Sequence, residues 1–95
     1  MRKYEAMFIV KPDLSEEDKK ILFQQIQEAV LKNKGSVSQG AIWAEKRKML
    51  FKIKKYWEGV YYLLNFSVEP AALSEIKRNY QLNENILRVL ITNID

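Results

Sequence analysis

Between Lys3 and Val10 apolar and polar positions alternate, with Tyr4, Ala6, Phe8 and Val10 on one face and Glu5, Met7 and Ile9 on the other. A period of two, carried by β-branched and aromatic residues, predicts a strand. Met7 and Ile9 make the second face apolar too, so this strand is expected in the middle of a sheet. Lys11-Pro12-Asp13 stops it. Ser15 then stands before Glu16, Glu17 and Asp18. A hydroxyl that can cap free N–H groups, followed by carboxylates, suits the positive end of a helix dipole. Ile21, Leu22, Ile26, Ala29 and Val30 recur at helical spacing, Lys32 and Lys34 sit at the negative end, and Gly35 supplies a stop. The predicted helix covers about 16–33.

From Ser36 to Val68 the helical period disappears. Val37 to Trp43, with Gly40 as a bend or bulge, leads into Lys46-Arg47-Lys48-Met49-Leu50-Phe51-Lys52-Ile53. Phe51 and Ile53 alternate there with Lys52 and Lys54. Lys55-Tyr56-Trp57-Glu58-Gly59 reads as a hairpin tip, and Val60 to Val68 as the returning strand, with Tyr62, Leu64, Phe66 and Val68 in phase. Pro70 at a first helical position opens a second helix, whose stripe is Leu73, Ile76 and Tyr80. Asn83-Glu84-Asn85 is a turn, and Ile86 to Ile94 is the last strand, with Leu87, Val89 and Ile91 on one face.

The order β-α-β-β-α-β predicts an α+β chain of the ferredoxin-like split type. Its four-stranded antiparallel sheet carries two helices on one face, with strands one and three in the middle. The second strand falls at an edge. One alternate set among Met49, Leu50, Phe51 and Ile53 is expected in the core, which leaves the other set, or the unpaired backbone, for a partner. Such a fold hosts many functions and names none of them.

Composition narrows the choice. A chain of 95 residues is expected to form one domain, residues 1–95. Sixteen basic residues against twelve acidic give +4, and six of the sixteen lie between Lys46 and Lys55. A basic cluster is the footprint of a polyanion binder, although lysines also guard an edge hairpin against aggregation. Cysteine is absent, which excludes a disulfide framework and a Cys-based zinc site and makes a cytosolic setting the default. No apolar run approaches the roughly 18 residues of a membrane span. Met1 leads straight into Arg2-Lys3-Tyr4-Glu5, so no export signal and no membrane partner are expected.

Histidine is absent as well, and with it the usual general acid–base group. Ser15, Ser36, Ser38, Ser67, Ser74 and Thr92 have no evident base in sequence, and the carboxylates at 16, 17 and 18 suit a capped helix turn. Three glycines make no phosphate-cradling loop. These absences predict a protein that is not an enzyme, with no cofactor, no metal and no small-molecule substrate. The aromatic signature of the RNA-recognition module of this fold is missing too. Tyr61 would face outward, but beside Leu63, Met7 and Ile9 it makes a face suited to protein contact.

The opening Met1-Arg2-Lys3-Tyr4-Glu5-Ala6-Met7-Phe8-Ile9-Val10-Lys11-Pro12-Asp13-Leu14-Ser15-Glu16-Glu17 resembles the start of the bacterial small-subunit ribosomal protein S six family. Lys46-Arg47-Lys48 before Leu50-Phe51 and Ile53-Lys54-Lys55 is similar to that family's basic second strand, which a tryptophan precedes. Glu58 to Phe66 resembles its third strand, and Leu82 to Leu90 its final turn and strand. The likeness runs in order along essentially the whole chain. It implies the split fold and a structural place in the small ribosomal subunit. It also implies binding to the central domain of small-subunit ribosomal RNA, as a heterodimer with ribosomal protein S eighteen. One departure stands out. The family commonly has Trp-Gly, basic residues and then Leu-Ala-Tyr-Pro-Ile. Here Trp43 is followed by Ala44-Glu45, and Leu50-Phe51-Lys52 replace Ala-Tyr-Pro, so a shift or bulge is expected in the second strand. The chain also stops at Asp95, without the tail some members carry.

With the resemblance in hand, the cations expected to meet RNA are Arg2, Lys3, Lys46, Arg47, Lys48, Arg78 and Arg88. Arg88 is out of phase with Val89 and Ile91 and must face outward, whereas Arg78 and Lys77 also complement a helix end. The residues expected to meet the partner are Trp43, Met49, Leu50, Phe51 and Ile53. Trp43, Tyr56 and Trp57 suit stacking on bases and packing on a partner equally.

Overall fold

The first strand, β1 (Arg2–Val10), buries Tyr4, Ala6, Phe8 and Val10 in the main core and leaves Glu5, Met7 and Ile9 half-buried on the opposite face. The computed structural model describes all residues, Met1–Asp95. Helix α1 (Glu16–Lys32) begins where the Asp18 N–H donates to Ser15 Oγ at 3.0 Å. Its end differs in detail from the expectation. Lys34, with φ 63°, takes the left-handed position, while Lys34 N–H donates to the Leu31 carbonyl and Gly35 N–H to that of Val30. That paired closure is the usual glycine-assisted helix stop with a lysine in the glycine's place. Gly35 is needed for a different reason, because a Cβ there would lie 2.6 Å from the Ser67 carbonyl oxygen and 2.7 Å from Val30 Cγ1.

Strands β2 (Ser36–Ile53) and β3 (Tyr56–Val68) form a long hairpin, followed by a short 3-10 turn, Pro70–Ala72, and then helix α2 (Leu73–Gln81) and strand β4 (Ile86–Asn93). The sheet order is β2-β3-β1-β4, antiparallel throughout, with β1 and β3 central as the crossovers require. Both helices pack on one face. Leu22, Ile26, Ala29 and Val30 of α1 and Ile76 and Tyr80 of α2 join the inward residues of β1 and β3 in one cluster. Tyr80 ties the layers together: its ring meets Phe8 edge-on at 4.8 Å, and its hydroxyl donates to the Ile26 carbonyl at 2.6 Å. Burial pushes that hydroxyl's pKa well above the ordinary tyrosine value.

Four expectations about detail are corrected. The hairpin tip is not Lys55 to Gly59 but the two residues Lys54 and Lys55, since Ile53 already pairs with Tyr56. Gly59 lies inside β3, where a Cβ would come 2.5 Å from Ile9 Cγ2, so the close approach of β1 excludes a side chain. Gly40 is neither bend nor bulge; it pairs with Leu64, and a Cβ there would collide with the Tyr62 hydroxyl, which accepts a hydrogen bond from Gln27 Nε2. In β4 the register slips opposite Ile9 and Val10, so Ile86 rather than Leu87 joins the core cluster with Val89 and Ile91 packed against it.

The largest correction concerns the run Met49–Ile53. None of Met49, Leu50, Phe51 and Ile53 belongs to the core cluster; Leu50 is 98% exposed and Phe51 58% exposed. The reason lies in the register. Lys48 pairs with Glu58 and Ile53 with Tyr56, so this stretch of β2 holds three residues more than the strand it faces. The surplus bows away from the ladder, and strict alternation no longer decides which side chain turns inward.

Candidate interaction site on the open sheet face

The bowed run, though exposed, stands beside the open face of the sheet. It forms one wall of a pocket of about 640 Å³ on the sheet face opposite the helices. Met7 and Ile9 of β1 and Tyr61 of β3 make the floor, and Trp43, Met49, Leu50, Phe51 and Ile53 of β2 line the remainder. Arg47, Lys48 and Arg88 complete the lining. Most of the lining is apolar, with the three cations added to it.

Bulges explain how an edge strand reaches over the sheet. Besides the slip after Lys48, β2 carries an extra residue between Val37 and Gln39, another at Trp43, and another between Ala44 and Arg47. Each bulge bends its strand and increases the local twist. Trp43 is the residue left over between the pairs Ile42–Tyr62 and Ala44–Tyr61, and its ring sits 5.8 Å from that of Tyr61. The Arg47 guanidinium carbon lies 4.8 Å from the Trp43 ring centre and 6.0 Å from that of Tyr61. A cation placed over an exposed ring gains roughly 0.5–1 kcal/mol. Arg88 stands across from Ile9 on β4, which carries its charge to the same face.

A buried ammonium braces the ribbon from behind. Lys19 Nζ lies 3.0 Å from Glu16 Oε1 and 3.4 Å from Glu45 Oε2, joining the first turn of α1 to β2 between Trp43 and Arg47. The Glu16 hydrogen bond, supported by Glu45 and opposed by burial, holds the Lys19 pKa above its ordinary value. Nothing in the sequence singled out Lys19, because its partner Glu45 is distant in the chain and arrives only through the curl of β2.

The pocket gathers the whole expected partner set, together with Arg47, Lys48 and Arg88 from the expected RNA set. The other cations lie elsewhere. Lys46 is exposed on β2 outside the pocket, and Arg78 is exposed on α2, in the helical layer on the other side of the sheet. Arg2 and Lys3 stand at the start of β1, five and four residues before Met7, or roughly 13–17 Å along a strand. There Arg2 Nε lies 3.2 Å from Asp95 Oδ1, and the Lys3 N–H donates to Asp95 Oδ2 at 3.0 Å. Met7, Ile9 and Tyr61, from the face expected to suit protein contact, join the β2 residues in one site. The apolar second face of β1 was their signal. No group of three or more His, Cys, Asp or Glu side chains comes together to hold a metal.

Against known proteins, the family described as ribosomal protein S6 matches residues 3–93. The chain belongs to the ribosomal protein S6 family. The small ribosomal subunit protein bS6 of Thermoanaerobacter pseudethanolicus is 38% identical over 95 residues, covering 100% of this chain and 99% of that one. The protein of the same name from Dictyoglomus turgidum is 40% identical over 92 residues, with 97% and 94% covered. Among solved structures, 30S ribosomal protein S6 of Thermotoga maritima superposes with a TM-score of 0.89 at 28% identity, covering 98% of this chain and 87% of that one. Membership makes the chain a structural, non-enzymatic protein of the small ribosomal subunit, working on the ribosome in the cytoplasm. The split β-α-β-β-α-β fold read from the residues is the fold this S6 neighbour shares.

Proposed function

We propose that this S6-family protein binds the central domain of small-subunit ribosomal RNA jointly with ribosomal protein S eighteen, and that the open-face pocket is where the two kinds of contact meet. The observation that carries the reading is a pocket of about 640 Å³ whose apolar lining is joined by Arg47, Lys48 and Arg88. Covering apolar side chains such as Leu50, 98% exposed in the free protein, with a partner lowers the free energy. Guanidinium and ammonium groups next to them suit phosphate oxygens. Trp43, Met49, Leu50, Phe51 and Ile53 take the partner in this reading, while Arg47, Lys48 and Arg88, with Lys46 beside them, take RNA. Arg2 and Lys3 contact RNA from the far end of the sheet, and Arg78 from the helical layer. The central-domain target and the partner's identity follow from the family resemblance.

This chain carries a net charge of +4, and its partner is itself expected to be basic. Two basic surfaces repel unless an anion lies between them, so heterodimerisation should be weak alone and tight on RNA. Titration of the protein against small-subunit ribosomal RNA, with and without S eighteen and across a salt series, tests this. Affinity should fall steeply as salt rises, and each protein should strengthen the other's binding. RNA binding without salt dependence, or no gain from the partner, would overturn the reading.

A further inference from the structure

At the tip of the β2–β3 hairpin the backbone does something costly. Lys54 and Lys55 take φ of 47° and 79°, two consecutive left-handed residues closing a two-residue turn between Ile53 and Tyr56. Hairpins of this kind favour Asn-Gly, because both positions require positive φ. A side chain with a Cβ is disfavoured at each of them. Two adjacent lysines add like-charge repulsion to that strain.

The surroundings concentrate the charge further. Lys11, the residue after β1, lines one cleft of about 400 Å³ with Lys54, Lys55, Tyr56 and Glu84. None of the three lysines makes an ion pair, since the chain's four involve only Met1, Arg2 and Lys19 as cations. Glu84 offsets one of the three charges and leaves the cleft positive. Asp13, two residues after Lys11, accepts a hydrogen bond from the Tyr56 hydroxyl at 3.2 Å. Strain of this kind at an exposed turn, with unpaired charges converging on it, is characteristic of a site whose ligand is not part of the fold.

We propose that Lys11, Lys54 and Lys55 form a second RNA-binding site, taking backbone phosphodiesters at the hairpin tip, apart from the open-face pocket. The site rests on the RNA-binding reading above and extends it. The ligand is a phosphate oxygen rather than a base, because ammonium groups on flexible stems act as point charges and the cleft offers one aromatic ring, whose hydroxyl is engaged.

The double variant Lys54→Asn/Lys55→Gly separates function from folding, because the two should move in opposite directions. Both replacements accept positive φ, so the melting temperature should rise, by about 4–8 °C if some 1 kcal/mol of strain is relieved. Affinity for small-subunit ribosomal RNA should nevertheless fall roughly tenfold, and the slope of log affinity against log salt should become shallower by about 2. A damaged fold cannot give a higher melting temperature with weaker binding. Lys11→Ala, in the same titration, should remove about 1 from the slope.

If the parent itself binds RNA without salt dependence, the RNA-binding reading fails. If the parent binds with a steep slope and the double variant matches it in affinity and slope, only the hairpin-tip site is overturned. Inorganic phosphate at constant ionic strength is the second probe. Should it raise the melting temperature of the parent and not of the variant while their RNA affinities stay equal, the cleft takes free anions and the RNA assignment is overturned.

Discussion

Arg47 lies with its guanidinium carbon 4.8 Å from the centre of the Trp43 ring, across a bulge that puts both side chains into the open-face pocket. The pair is exposed, so the contact contributes little to folding, about 0.5–1 kcal/mol. Its larger consequence is to hold a planar cation against an apolar floor. Arg47→Ala should therefore leave thermal stability nearly unchanged, weaken ribosomal RNA binding and reduce the salt slope by about 1. Arg47→Lys should keep the slope but lose part of the affinity, because an ammonium does not stack as a guanidinium does. Filter binding over a salt series measures both. Parental affinity in Arg47→Ala would remove this residue from the RNA surface.

Leu50 and Phe51 now have a common expectation. Both are exposed and outside the core, so Leu50→Asp and Phe51→Asp should each fold with stability within about 0.5 kcal/mol of the parent. Each should reduce cooperative assembly with S eighteen on RNA. Urea unfolding and RNA titration with the partner provide the two readouts. If either variant unfolds, the bowed run carries structural weight that its exposure does not reveal.

Asp95 competes for Arg2. The Lys3 N–H, aided by the Arg2 guanidinium and opposed by desolvation, holds the Asp95 carboxyl below the usual carboxylate range. A depressed carboxyl stabilises the fold above its ordinary value, near 3.9, and the contribution is lost as pH falls through the lower folded value. Asp95→Asn should be less stable than the parent at neutral pH, and the gap should close in acid. The same change frees Arg2, so RNA affinity should rise. Melting curves along a pH series and one RNA titration check the two halves, and unchanged affinity would mean that Arg2 does not reach RNA.

Tyr80→Phe keeps the ring that meets Phe8 and removes the hydroxyl that donates to the Ile26 carbonyl at 2.6 Å. A buried hydrogen bond lost in this way should cost about 1–3 kcal/mol, measured by denaturant unfolding. RNA affinity should not change, because Tyr80 lies on the helical side of the sheet. A drop in affinity at full occupancy of the folded state would show coupling between the layers.

The regular elements were legible because local rules and tertiary packing agree there. The alternation of Tyr4, Ala6, Phe8 and Val10, the Ser15 cap and the stripe of Leu22, Ile26, Ala29 and Val30 each specify one buried face. The order of those elements then leaves few topologies for a right-handed chain, and β2-β3-β1-β4 is the one found. The candidate site was legible only as a roster. Its apolar and basic residues were marked by type, but Met7 and Ile9 were not connected to Leu50 and Phe51.

Residue types and their periods thus determined which faces are buried, how the strands are ordered and that no catalytic histidine or cysteine exists. Tertiary structure alone decided the shape of β2. Its register is set by pairing with β3 and by the Lys19 tie from α1, and each bulged residue shifts every later side chain relative to the opposite strand. Alternation predicts a face only while the ladder is regular. Where the ladder slips, at Trp43 and between Lys48 and Ile53, the chain curls over its own sheet and brings residues distant in sequence around one pocket. The same limit applies at Lys54 and Lys55, whose left-handed backbone follows from the pairing of Ile53 with Tyr56 and not from any preference of lysine.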